Sequence, residues 1–336
     1  MSLTLKDIAR MAGVAESTVS RAVNNKAGVG KKTKEKVMKI VEKYNFQPNQ
    51  LAQGLATQET HMLALILSDL TTPGYNDIIK NIEAFANQQG YHLIICNTDN
   101  NLEKEKAYLE LVSNNRVDGA IIIGGDLADK NVLNLALNKD DLIVLVNCLA
   151  EELLIPTVLI DNARGAYLAT THLLEQGMKK VAIVMGDRNI FLESEKLDGY
   201  YQALKDYGIS INEEYIIETD ASREGAYNAF LKSIELSEPP EAFFLTGDIL
   251  AIGLIDAIKT GGYFIPDDFA IVAYGESLIT SIISPPLTVV AEPLEELGKY
   301  AAEYLIELIL DNKPEEMIKV LEPVLKLRQT SIPQIK

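Results

Sequence analysis

The chain has 336 residues, with 31 Lys and Arg against 48 Asp and Glu, a formal net charge of −17, three His, two Cys and no Trp. At 47% hydrophobic and 24% charged it has the make-up of a folded globular protein, which excludes a fibrous or disordered chain. Apolar runs such as 62–67 fall far short of the ~20 residues that span a bilayer, and no secretory signal is expected at the N-terminus. Cys96 and Cys148 each end an apolar run and are expected as buried thiols of a cytoplasmic protein. The length predicts two or three domains.

The charge is unevenly placed. Residues 1–60 carry eight Lys and two Arg against one Asp and four Glu, a surplus of +5, so the remaining 276 residues carry −22. A small basic end on a large acidic body points to anion binding at that end.

The first predicted helix, 5–12, puts Leu5, Ile8, Ala9 and Ala12 on one face and ends at Gly13. A second, 16–24, turns Val19, Ala22 and Val23 inward, and a third, 32–44, turns Val37, Ile40 and Val41 inward and lysines outward. Two short helices across a tight Gly turn make a helix-turn-helix, whose second helix enters the major groove of DNA. Ser17, Thr18 and Ser20 offer hydroxyls that position on phosphate, and Arg21 offers the commonest base-reading group. Glu16 either accepts from cytosine N4 or is a solvated first-turn carboxylate.

The run Thr4-Leu-Lys-Asp-Ile-Ala-Arg-Met-Ala-Gly-Val-Ala-Glu-Ser-Thr-Val-Ser-Arg-Ala-Val-Asn24 closely resembles the headpiece of the lactose/galactose-repressor family of bacterial transcriptional regulators. Tyr44-Asn-Phe-Gln-Pro-Asn-Gln-Leu-Ala-Gln-Gly-Leu55 resembles that family's hinge, and further matches run to Arg328. One departure is Ala15, where the family usually has a Ser that contacts phosphate and caps the helix. The resemblance implies DNA contacts from Thr4, Glu16, Ser17, Thr18, Ser20, Arg21, Asn24, Lys32, Asn49 and Leu55. The hinge helix, 50–56, is marginal alone in water. In the family, paired hinge helices order on DNA and wedge a leucine into the minor groove, a position that Leu55 matches. Without the resemblance, Leu55 is simply a packed linker residue.

From His61 the pattern becomes apolar strands alternating with helices: strands at 62–67, 91–97, 119–123, 142–147, 156–160, 180–185, 214–217, 242–245 and 269–273, and helices at 77–89, 102–114 and 128–137 among others. Such alternation predicts an α/β body of two parallel, helix-covered sheets, with a ligand cleft at the carboxyl ends of the strands. Ile160-Asp-Asn162, Leu174-Glu-Gln-Gly177, Thr246-Gly-Asp-Ile-Leu-Ala-Ile-Gly253 and Pro286-Leu-Thr-Val-Val-Ala-Glu-Pro293 resemble later motifs of the family. The implied organisation is a headpiece at 1–46, a hinge and linker at 47–60, and a periplasmic-binding-protein-like body. Its N-terminal lobe is 61–161 plus 293–323, and its C-terminal lobe is 162–292 plus 324–336.

The resemblance also assigns an effector site. Tyr75, in Thr72-Pro-Gly-Tyr75, matches an aromatic that covers the ligand. Asn147 stands where Asp is frequent, Lys196 where Arg is usual, and Ala221 where many members stack an aromatic. Asp161 and Asp248 follow the family pattern. In Ala273-Tyr-Gly-Glu276 the usual sugar-holding Asp has become Gly275, with Glu276 as its one possible replacement. The bland alternative for Tyr75 and Asn147 is a loop and a strand-end residue. Lost carboxylates and a retained Lys196, with Arg188 and Arg223 in neighbouring loops, favour an anionic sugar derivative over a neutral saccharide.

The implied protein is a homodimeric, effector-controlled regulator, expected to repress carbohydrate metabolism from a pseudo-palindromic operator in double-stranded DNA. A co-regulator governed by a protein partner and a regulator answering to a neutral sugar are the alternatives. The dispersed His61, His92 and His172 fit no hydrolase or metal spacing, so neither an enzyme nor a metal or other cofactor is expected.

Overall fold

The computed structural model describes residues 3–23, 27–44, 46, 59–124, 141–148 and 154–332. They belong to two compact units divided between Thr60 and His61. Asn24, Asn49, Leu55, the hinge helix and the helix expected over 128–137 lie outside the described residues.

In the first unit, α1 (Leu5–Ala12), α2 (Glu16–Val23) and α3 (Lys31–Lys43) enclose a small core of Ile8, Ala12, Val19, Ala22, Val37 and Phe46. Thr4 opens α1 with a reciprocal cap: its side chain accepts from the Asp7 amide while the Asp7 carboxylate accepts from the Thr4 amide. Gly13 closes the helix at φ 64°, a left-handed conformation that costs glycine nothing and sets the tight turn into α2.

The second unit contains two six-stranded sheets. The first takes β1 (Met62–Leu67), β2 (His92–Asn97), β3 (Gly119–Ile123), β4 (Ile143–Val146), β5 (Thr157–Ile160) and β11 (Ile318–Leu321) in the order β11-β5-β4-β3-β1-β2, all parallel. The second takes β6 (Val181–Met185), β7 (Ile216–Glu218), β8 (Ala242–Leu245), β9 (Ala270–Tyr274), β10 (Thr288–Ala291) and β12 (Val324–Lys326) in the order β12-β10-β9-β8-β6-β7, with β12 antiparallel at its edge. The helices α4 (Tyr75–Gln88), α5 (Leu102–Ser113) and α11 (Leu294–Ile309) pack on the first sheet; α6 (Asn162–Glu175), α7 (Phe191–Asp206), α8 (Arg223–Ser233) and α9 (Asp248–Thr260) pack on the second, and α10 (Leu278–Ile282) follows β9. Inner strands such as β3, β4, β6 and β9 are buried at every residue, which explains their unbroken apolar runs.

The chain passes between the sheets three times, from β5 to α6, from β10 to α11 and from β11 to β12. Element ends differ from the sequence expectation where a backbone group is claimed elsewhere. Tyr91 donates its N–H to the Ala86 carbonyl and so finishes α4 instead of starting β2. Asn147 turns to φ 53° and ends β4 one residue early. Glu213–Tyr215 forms a single 3-10 turn, so β7 begins at Ile216.

Where α6 and α7 meet, a Cβ on Gly199 of α7 would stand 2.0 Å from the Ala163 carbonyl oxygen of α6. A methyl there must part the two helices. Gly199→Ala is expected to destabilise the body by about 1–3 kcal/mol in denaturant unfolding, and an unchanged midpoint would show that the helices can separate freely.

Candidate functional site

On the headpiece, burying Val19 and Ala22 turns Glu16, Ser17 and Arg21 outward, with Thr18 and Ser20 half-buried beside them. The Arg21 guanidinium rests over Gly28, at φ 99°, where a Cβ would meet Nη1 at 3.4 Å. Lys31, Lys32, Lys36, Lys39 and Lys43 of α3 are exposed. Thr4, expected at DNA, donates its hydroxyl to Asp7 at 2.7 Å. Ala15 offers only its carbonyl to Thr18 and Val19, so α2 begins without a side-chain cap.

In the body, the strand ends of the second sheet are tied together by Glu193. Its Oε2 accepts from the Gly186 amide at 2.9 Å and the Thr246 hydroxyl at 2.6 Å, and its Oε1 from Lys196 Nζ at 3.1 Å. Lys196 also donates to the Thr246 carbonyl at 2.9 Å and lies 4.6 Å from the centre of the Tyr274 ring. Lys196, expected at the effector site as a cation, is thus buried and paired inside its own lobe. Arg188 donates through Nε to Glu218 at 2.6 Å and Arg223 pairs with Asp256, so each neighbouring guanidinium already has a carboxylate beside it.

Gly275 takes φ 92°, and Glu276 turns away from it to pair with Lys326 and Arg328 of the C-terminal segment. Burial opposes its charge, but these two cations hold the Glu276 carboxyl below its ordinary range. The idea that Glu276 swings inward to replace the lost Asp is thereby corrected. A different acid is close by. Glu292, in the passage from β10 to α11, places Oε2 3.8 Å from where a Gly275 Cβ would stand. Burial raises its pKa, with Lys196 lowering it and Asp248 raising it further. Asp248 opens α9 at the end of β8 and is 7% exposed. The Tyr274 hydroxyl is buried, with no hydrogen-bond partner among the described residues.

Across the cleft, Tyr75 begins α4 just after Gly74 and carries its hydroxyl to 3.3 Å from Ser68 Oγ. It lies over the end of β3, where any side chain on Gly124 would come within 2.2 Å of it. Burial raises its pKa, opposed by the hydrogen bond with Ser68 and aided by the nearby acids Asp69 and Glu292. Asn147 is drawn into the sheet instead of the cleft, its Oδ1 accepting from the Ile160 amide at 3.1 Å. Asp161 caps α6 by accepting from the Arg164 amide at 2.7 Å. Ala221 is exposed at φ 55°, a conformation that strains a residue with a Cβ. Burial pushes the Cys148 thiol up to about 12, which makes it chemically quiet.

Sequence reasoning missed Glu193 and Glu292. The helical spacing of Glu193, three residues before Lys196, was an available signal for the first pair. Glu292 stood inside a quoted motif, but its approach to Gly275 needs the three-dimensional path of the chain.

Two family models match, "Bacterial regulatory proteins, lacI family" over residues 4–49 and "Periplasmic binding proteins and sugar binding domain of LacI family" over 60–329. The HTH-type transcriptional repressor PurR of Photobacterium profundum is 33% identical across 97% of this chain and 98% of its own. The lac repressor dimer bound to operator and an anti-inducer shares the fold, with a TM-score of 0.87 over 99% of this chain and 100% of that one at 24% identity. A LacI family regulator from Enterococcus faecium with bound ribose gives 0.72 over 82% and 100%, at 27% identity.

The raised pKa of Glu292 has a definite sign. Its folded form holds the proton more tightly than the unfolded chain does, so the associated stability is present at low pH and lost as pH rises through the folded pKa. Glu292→Gln should therefore unfold at higher temperature than the parent at pH 7.5, and the advantage should vanish near pH 4. Equal melting temperatures at both values would refute the assignment.

Proposed function

Because the chain belongs to the lacI family of bacterial regulatory proteins, it is a DNA-binding transcriptional repressor and not an enzyme, and we propose that an uncharged, sugar-like ligand between the lobes of its body controls its hold on DNA. The observation that carries the ligand class is the pairing of Lys196, Arg188 and Arg223 with Glu193, Glu218 and Asp256. Each of these cations already has one of the chain's own carboxylates beside it, which offsets part of what an acid or phosphate would gain from it. This favours the neutral alternative over the anionic one. The ribose in the Enterococcus faecium relative is consistent with that choice.

Residues 1–46 form the DNA-reading unit, 47–60 the hinge, and 61–161 with 293–323 and 162–292 with 324–336 the two lobes. The repressor acts in the cytoplasm as a homodimer, each α2 in a major groove of a pseudo-palindromic operator. Arg21 reads a base, Ser17, Thr18, Ser20 and the α3 lysines hold phosphates, and Leu55 of the paired hinges enters the central minor groove. Ligand binding rotates the lobes and shifts the dimer contacts that favour hinge ordering. A coupling of about 1–3 kcal/mol is enough, and it must be reciprocal between ligand and operator.

Arg21→Ala is expected to weaken binding to operator DNA, selected from a random pool, by about 1–3 kcal/mol and to relax selection at one position per half-site. Equal losses on operator and random duplex would contradict base reading. Operator affinity should fall steeply as salt rises.

The second copy is proposed to dock on apolar groups that the single chain leaves open. Leu278 is 78% and Ile282 71% exposed on α10, and Ile95 is 46% exposed on the edge strand β2. Burying such side chains is favourable by roughly 1.5–3 kcal/mol each. The double substitution Leu278→Asp with Ile282→Asp should yield a folded monomer in sedimentation; a dimer of undiminished affinity would place the interface elsewhere.

A further inference from the structure

Resting on the docking of a second copy at α10 proposed above, we propose that Arg328 is the positioning residue of that interface: its guanidinium sets α10 in the docking geometry and joins it to the end of β9. The helix cannot hold itself. It has five residues, too few for a helix that stands alone in water, and it begins without a side-chain cap. Among the described residues of α10 only Thr280 is buried, while Leu278, Ile279 and Ile282 are exposed. The apolar side chains offered to a partner therefore rest on one small anchor.

Arg328 bonds to that anchor and to the chain on either side of it. Through Nη1 it donates to the Leu287 carbonyl at 3.0 Å, the Thr280 hydroxyl at 3.3 Å and the Thr280 carbonyl at 3.4 Å. Nη2 pairs with Glu276, which lies between Gly275 and α10. One planar group thus grips the start, the middle and the return of the segment 276–287, which the point charge of a lysine cannot do. The grip is itself fixed in place. The Arg328 amide donates to Thr288 Oγ1 at 2.9 Å, and the Gln329 amide donates to the Pro286 carbonyl at 3.0 Å. Thr330 Oγ1 accepts from the Thr288 amide and donates to the Ile271 carbonyl, both at 2.8 Å. Ser331 donates to Thr288 Oγ1 at 2.7 Å and meets His172 Nε2 at 2.8 Å.

The placement of Arg328 has a second consequence. Its segment follows β12, and β12 follows the third passage between the sheets. Glu276 follows the end of β9, where the Gly275 amide donates to the Val290 carbonyl at 2.9 Å. A shift of either segment reaches α10 through the same guanidinium. With α10 set before a second copy arrives, less ordering is left to association. A plain brace of the fold would behave differently: its loss would lower the stability of the single chain and would not depend on the side chains that α10 presents.

The test uses the full-length protein, with the dimer dissociation constant read by sedimentation equilibrium and the folded state by thermal unfolding. Arg328→Gln is expected to raise that constant roughly tenfold or more. Arg328→Lys, which keeps the charge and loses the planar fork, should raise it roughly threefold. In a chain already carrying Leu278→Ala with Ile282→Ala, itself a weaker dimer, Arg328→Gln should add less than about threefold, because its effect runs through those side chains. A loss of the same size in both backgrounds is that of a general brace and overturns the proposal. So does a parent-like constant for Arg328→Gln or, should that variant not fold, for Thr280→Val, which keeps the shape of the anchor and removes its hydroxyl. If Leu278→Ala with Ile282→Ala leaves the dimer as tight as the parent, the interface lies elsewhere, and the proposal falls with the reading it rests on.

Discussion

The body depends on one constraint: the chain crosses between its two sheets three times, at Asp161, at Glu292 and Pro293, and between β11 and β12. Three connections permit a hinge-like rotation and resist separation. They also fix where chemistry can influence movement. Asp161 caps α6 at the first passage, Glu292 occupies the second, and Pro323, in the third, lies beside Gly165 and the Tyr274 ring. The passages between the lobes are therefore lined by acids and by a buried phenol whose hydroxyl has no hydrogen-bond partner among the described residues.

Against that pivot, the C-terminal lobe half of the cleft is rigid. Glu193 joins the ends of β6 and β8 to α7 through three hydrogen bonds, and Lys196 completes the tie through Thr246 and Tyr274. A charge pair that is so fully bonded costs little despite its burial, whereas removing either member would strand the other. The opposite wall is built from packing: the Tyr75 phenol lies where Gly124 has no side chain. One wall is fixed by charge and the other by shape.

Most of the fold was legible in the sequence because parallel, doubly covered strands leave continuous apolar runs and amphipathic helices separate them. The strands at 62–67, 119–123 and 242–245 coincide with β1, β3 and β8. Boundaries failed where local backbone bonding overrode the apolar pattern, as at Tyr91 and Asn147. The site was half legible. The loss of an acid at Gly275 could be seen in the order of residues, but Glu276's partners lie 50 and 52 positions away, at Lys326 and Arg328. Residue type alone likewise described Lys196 as a cation and could not show that Glu193 had matched it.

The contact between Arg21 and Gly28 bears on how quickly and how cleanly DNA is read. A long guanidinium side chain normally samples many rotamers and loses that freedom on docking. Here the loop after α2 places a bare glycine nearby: a Cβ on Gly28 would stand 3.4 Å from Nη1. On the proposed base-reading role of Arg21, any ordering of its side chain before docking lessens the entropy lost at recognition. On that reading Gly28 acts on recognition through the side chain of Arg21 and not through one of its own.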